Sequence, residues 1–148
     1  AVEEILSNRA LVVPITAWLI SQVLKVAVNL WFERKLTLSY VLSAGGMPSS
    51  HSALVASLTA CVAQEAGPSS PLFAAVVVFS AIVMYDAAGV RRAVGTHARV
   101  LNLLLDEVFI HHQIDEARLR ELVGHTPLQV VAGALVGLLV TALMASGY

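Results

Sequence analysis

Four apolar runs constrain this chain more than any motif in it. Over residues 10–32 only Thr16, Ser21, Gln22, Lys25 and Asn29 stand out from the apolar residues. As a helix that run rises roughly 34 Å at 1.5 Å per residue, enough to cross a hydrocarbon core of about 30 Å. Residues 52–66 make a second run of about 22 Å, which spans thinly or sits deep in a bundle. Residues 72–89 carry a third, almost without polar atoms before Asp86, and residues 127–145 a fourth with Gly133 and Gly137 four apart. That spacing lets a neighbouring helix approach closely. No strand pattern or internal repeat competes with these runs. The chain is 57% hydrophobic and only 13% charged, where a soluble domain carries about a quarter charged residues, which excludes an ordinary soluble surface. The expected fold is all-α: an integral membrane helical bundle of about four spanning helices plus an amphipathic surface segment, in a single domain over residues 1–148.

The segments between the runs set the orientation. Residues 1–9 read as a short amphipathic lead-in, and residues 33–50 as a polar connection ending in a Gly-Gly turn. In Gly67-Pro68-Ser69-Ser70-Pro71, Ser70 has the chemistry of an N-cap and Pro71 that of a first helical residue. Residues 93–124 mix Leu, Val and Ile with acids and arginines at helical spacing, which predicts one or two amphipathic helices on the membrane surface, closed by Gly124. With four spans, residues 33–50 and 90–126 share one side. That side holds Arg34, Lys35, Arg91, Arg92, Arg99, Arg118 and Arg120; the other holds Arg9. The positive-inside rule turns the basic side to the cytoplasm, or to the stroma of a plastid. A net charge of −1 gives no nucleic-acid footprint. Cys61, the single cysteine, excludes an internal disulfide and reads as a small buried hydrophobe. The chain opens on Ala1 with no secretory pattern, as a processed or trimmed chain or a fragment would.

Two stretches on the basic side carry the candidate chemistry. Gly45-Gly46-Met47-Pro48-Ser49-Ser50-His51-Ser52-Ala53 opens the second run, and Gly124-His125-Thr126-Pro127-Leu128-Gln129-Val130 opens the fourth. His125 suits a nucleophile, its neutral imidazole attacking a phosphoryl group. The bland alternative is a histidine at a helix start, since Thr126-x-x-Gln129 fits a capping box with Pro127 at the first helical position. His51 suits a general acid that protonates the leaving oxygen. The amides that open its helix, with the hydroxyls of Ser49 and Ser50, suit an anion, although one of these serines is needed to cap the helix. Lys25 lies inside the first run, where an ionisable group is a functional candidate and calls for an anionic partner. Arg91 and Arg92 could clamp phosphate oxygens or simply anchor the basic side. Asp86 fits a group that orients an arginine. Glu107, His111 and Asp115, with His112 and Glu116, recur four apart; a solvated helix face explains them better than a metal site.

Together these stretches resemble the type 2 phosphatidic acid phosphatase superfamily, which includes vanadium-dependent haloperoxidases, and more closely its divergent bacterial and plastid branch. Met84-Tyr85-Asp86-Ala87-Ala88-Gly89-Val90-Arg91-Arg92 adds to the likeness, as do Ala98, Leu101 and Asn102, and the similarity runs from about residue 5 to the end. The resemblance implies metal-independent hydrolysis of a lipid or prenyl phosphate or diphosphate through a phosphohistidine on His125, with His51 as acid and no cofactor. Lys25, Ser49, Ser50, Arg91 and Arg92 would bind the phosphate, and Gln129 and Asp86 would orient the site. The implied partners are membrane lipids and a phosphorylated amphiphile, in a bacterial plasma membrane or a plastid membrane, with a homo-oligomer or a place in a larger membrane complex as the assemblies to expect.

Several departures stand beside the likeness. Ser50 replaces the glycine of the superfamily's Pro-Ser-Gly-His element. Phe32-Glu33 stands where Arg-Pro is expected after the leading lysine, and Leu119 where an arginine is expected before the nucleophile. Gln129 occupies the place of the aspartate that polarises the nucleophilic histidine, and a neutral amide stabilises an imidazolium much less. Those departures leave a second expectation open, a catalytically weak or inactive member that binds lipid phosphate or serves as a structural subunit.

Overall fold

In a computed structural model of the chain, residues 2–33, 46–108 and 125–145 are described. Among them the regular structure is wholly α-helical: α1 (Val2–Ser7), α2 (Arg9–Glu33), α3 (Ser50–Ala66), α4 (Pro71–Ala88), α5 (Val90–Val108) and α6 (Pro127–Ala145). Local chemistry sets the boundaries. Ser49 caps α3 by accepting the Ser52 N–H, and Gly67 ends it at φ +81°, a left-handed backbone that a side chain would resist. Ser70 caps α4 by accepting the Phe73 N–H at 3.1 Å, with Pro71 as its first residue, as the sequence predicts.

α3 is the centre of the bundle and packs against α2, α4 and α6. The tightest seam runs between α3 and α6. Gly133 lies on the Ser49 backbone and Gly137 on the backbones of Ala53 and Ser57; a Cβ on either glycine would overlap them. One turn further on, the hydroxyls of Ser57 and Thr141 meet at 2.8 Å. Positions 49, 53 and 57 thus face 133, 137 and 141 in rising order, so the two helices run parallel. The close approach expected from Gly133 and Gly137 is real.

α2 runs the other way. Its start is tied to the far end of α3 by Arg9 Nη2 donating to Gln64 Oε1 (3.4 Å), and Lys25 reaches Ser50 at the near end. Between these points Val13, Ala17, Cys61 and Val140 form a small apolar knot, with Cys61 buried as expected. α4 is held by Ser80, whose hydroxyl donates to the Val55 carbonyl at 3.2 Å and meets Thr59 Oγ1 at 2.8 Å. A bundle in lipid has no water to satisfy such hydroxyls, so they bond to one another and to backbone carbonyls.

The outer surface is apolar. Val23, Val78, Phe79, Ile82, Leu135 and Leu143 are all exposed. Among the described residues three stretches are long and apolar enough to cross a membrane: Arg9–Trp31, Pro71–Leu105 and Pro127–Ala145. The remaining run, α3, has 17 residues and rises about 25 Å; it is the enclosed central helix. The chain is therefore an all-α integral membrane bundle. Gly89 is itself helical in backbone, so α4 passes into α5 without a loop. α5 buries Gly95, Ala98 and Asn102 along one face and exposes Val94, Leu101, Leu104 and Arg99, the amphipathic character read from the sequence. The rest of that expected surface segment, residues 109–124 with the 111–116 histidine and acid cluster and the Gly124 stop, lies outside the described residues, as do Arg34 and Lys35.

Candidate functional site

The register of the small residues brings the two histidines together. Because Gly133 is level with Ser49, α6 begins about two turns beyond the start of α3, and its opening turn overhangs the first-turn amides of α3. The Ser49 N–H donates to the Gln129 carbonyl at 3.0 Å and locks that overlap. The His125 N–H donates to the Ala87 carbonyl in the last turn of α4 (3.2 Å), which fixes the start of α6 from the other side. As a result the rings of His51 and His125 meet edge to face, with centroids 6.1 Å apart and planes at 66°. His125 is 1% exposed and His51 is half-buried.

The tautomer of His125 follows from the capping box. The Thr126 N–H donates to Gln129 Oε1 at 3.0 Å, and the Gln129 N–H donates back to Thr126 Oγ1 at 3.3 Å. Since a backbone N–H can only donate, the amide atom facing it is the carbonyl oxygen. His125 Nδ1 lies 3.3 Å from that same oxygen, so Nδ1 carries the proton and Nε2 of the neutral ring carries the lone pair. One glutamine side chain thereby caps α6 and selects which nitrogen of the His125 ring keeps its lone pair.

Lys25 enters from α2. It is 1% exposed, and its Nζ donates to Ser50 Oγ at 3.5 Å, the outer limit of a hydrogen bond. The sequence calls for an anionic partner here; the structure sets the ammonium against the hydroxyl of Ser50, the residue before His51 in α3. Ser49 is fully buried, accepting from both the Ser52 N–H (3.3 Å) and the Ser52 hydroxyl (3.0 Å). It is the serine that caps α3, which leaves Ser50 as the one turned to the lysine. Arg91 and Arg92 fall in the first turn of α5, just past the α4 carbonyl that holds His125; their side chains lie outside the described residues. Asp86 is exposed on α4, next to Ala87. Among the described residues no three His, Cys, Asp or Glu side chains come together as metal ligands.

Two contributors escape the sequence reading. Gly46, at φ +98°, packs under the Lys25 stem, and Ala87 acts through its carbonyl. Only the Gly-Gly turn hinted at the first, and a backbone acceptor leaves no trace in a side-chain pattern.

Residues 6–140 match the sequence profile of the divergent PAP2 family. The chain is also 41% identical over 153 residues to a protein of Bacillus subtilis (strain 168) named uncharacterized membrane protein YuiD, with 96% of this chain and 97% of the relative covered. No solved structure matches the chain significantly.

Proposed function

The chain belongs to the divergent PAP2 family, and from that premise we propose that it hydrolyses the phosphate or diphosphate of a lipid or prenyl chain without a metal, through a phosphohistidine. The observation that carries the reading is the His51–His125 pair with its tautomer set by Gln129. His125 Nε2 attacks phosphorus and forms a P–N bond, the bond to the leaving oxygen breaks, and His51 as imidazolium gives that oxygen its proton. Water then attacks phosphorus, neutral His51 takes its proton, and the P–N bond breaks to release inorganic phosphate. Lys25, the opening amides of α3, and Arg91 and Arg92 offset the charge on the equatorial oxygens.

In-line transfer needs the attacking nitrogen and the leaving oxygen on opposite sides of phosphorus. The two rings are in contact at 6.1 Å, so an entering phosphoryl group has to part them. A site wrapped by apolar helices suits a substrate held by its chain in the bilayer, with the phosphate on the cytoplasmic or stromal side. The test is a phosphate-release screen over phosphatidic acid and prenyl phosphates and diphosphates, with purified protein in detergent. Release on at least one substrate, lost in His125→Ala, is the expected result; wild type and variant giving the same background would end the proposal.

A second reading keeps the pocket and drops the turnover. Gln129 Oε1 is neutral and already accepts the Thr126 N–H, so it gives a developing imidazolium little support. On that reading the chain binds lipid phosphate as a non-catalytic membrane subunit. Orthovanadate binding without phosphate release would mark it.

A further inference from the structure

Lys25 sets a problem that the two-histidine chemistry leaves unsolved. Taking an ammonium out of water costs several kcal/mol unless polar groups surround it, and a lysine side chain carries about 2 kcal/mol of rotamer entropy that aiming it must remove. One short stretch contributes to both. Gly46, at φ +98°, lies flat against the stem: a Cβ there would stand 3.1 Å from Lys25 Cγ and 3.2 Å from Cδ. Four residues on, Ser50 Oγ takes the head at 3.5 Å. Ser50 itself is 3% exposed and is the residue next to His51.

We propose that Gly46 and Ser50 form a seat that aims Lys25 at the phosphoryl group handled by His51 and His125, with Gly46 a positioning residue through its missing side chain and Ser50 one through its hydroxyl. The inference rests on the phosphate-site reading above and names how its cation is placed. A charge-assisted bond from an ammonium to a phosphate oxygen closes to about 2.7–2.9 Å, so an arriving phosphate outcompetes the hydroxyl and the head transfers with little movement. The seat also gives a role to the serine found where the superfamily keeps a glycine.

The test is orthovanadate affinity of the purified full chain in detergent, measured for wild type, Gly46→Ala, Ser50→Ala, Lys25→Met and the two double variants. Each single variant at the seat is expected to weaken binding about tenfold, in the range set by one hydrogen bond to a charged group. In the Lys25→Met background neither should weaken it further, because a seat without its lysine has nothing to aim. If Gly46→Ala fails to fold, Ser50→Ala alone completes the cycle. Undiminished effects in the Lys25→Met background would mean that Ser50 binds the anion directly or that Gly46 merely shapes the turn, and would overturn the seat while leaving the phosphate site standing. Wild-type protein that binds no orthovanadate would remove the phosphate site and the seat with it.

Discussion

Adding one methyl group at Gly133 tests the link between packing and chemistry. A Cβ there would stand 2.9 Å from the Ser49 carbonyl carbon and 3.0 Å from its nitrogen, closer still to its oxygen, where ordinary contact begins at 3.4 Å. The obstacle is backbone on a central helix, so no side chain can swing aside. α6 must therefore back away from α3 by at least about half an ångström, and by more at the carbonyl oxygen. Overpacking of this kind costs about 1–3 kcal/mol, and a misplacement of about 1 Å near a reacting centre costs roughly 10²-fold in rate. Gly133→Ala is thus expected to lower the free energy of unfolding in mixed micelles by about 2 kcal/mol. It should also cut phosphate release by one to two orders of magnitude, because the same shift stretches the bond from the Ser49 N–H to the Gln129 carbonyl. Gly137→Ala meets the Ala53 and Ser57 backbones one turn deeper and should cost similar stability with a smaller loss of rate. A Gly133→Ala protein as stable and as active as wild type would refute the parallel α3–α6 seam.

Two further substitutions probe the pair from other directions. Gln129→Glu keeps the capping box and places a carboxylate at His125 Nδ1; a carboxylate favours the imidazolium, so the acid limb of the rate profile should move to higher pH and the maximal rate should rise, as phosphate release measured against pH would show. Ser57→Ala with Thr141→Val removes the hydroxyl pair that meets at 2.8 Å; a double-mutant cycle on unfolding should give a coupling of about 0.6 kcal/mol, with phosphate release unchanged because Ser57 lies roughly two turns below His51 and Thr141 roughly four below His125.

The elements whose causes are local were legible. Ser70 and Pro71 at the start of α4, and Thr126 with Gln129 at the start of α6, bond within four residues of themselves, so sequence spacing contains the whole interaction. Which serine caps α3 was not settled, since Ser49 and Ser50 both have the chemistry and only the position of the Ser52 amide decides. The run read as starting at residue 52 starts at Ser50, because buried polar residues hide a helix from a hydropathy reading: Ser49, Ser50, Ser52 and Ser57 are all inside, and Ser49 and Ser57 lie against the glycines of α6. Gly133 and Gly137 announced a close contact but not its partner. The neighbours of Lys25 were hidden for the same reason, since Gly46 and Ser50 meet it only through the antiparallel register of α2 and α3, which no local pattern encodes.

That dependence on register has a consequence for how such a site could change in evolution. The histidines are 74 positions apart, and neither contacts the other through any local signal; the seam of Ser49, Ala53 and Ser57 against Gly133, Gly137 and Thr141 carries the alignment. A seam made of backbone contacts fixes two helices along their length as well as in distance, because each glycine fits only where its facing carbonyl lies. Larger apolar side chains would bury more area but hold the two backbones further apart, and a change of register by one residue would move His125 by about 1.5 Å relative to His51. The superfamily's aspartate can be exchanged for Gln129 with the tautomer kept, since an amide carbonyl still accepts from Nδ1. The glycines have no comparable substitute, so within this fold the pairing of the histidines is more tightly constrained than the group that supports them.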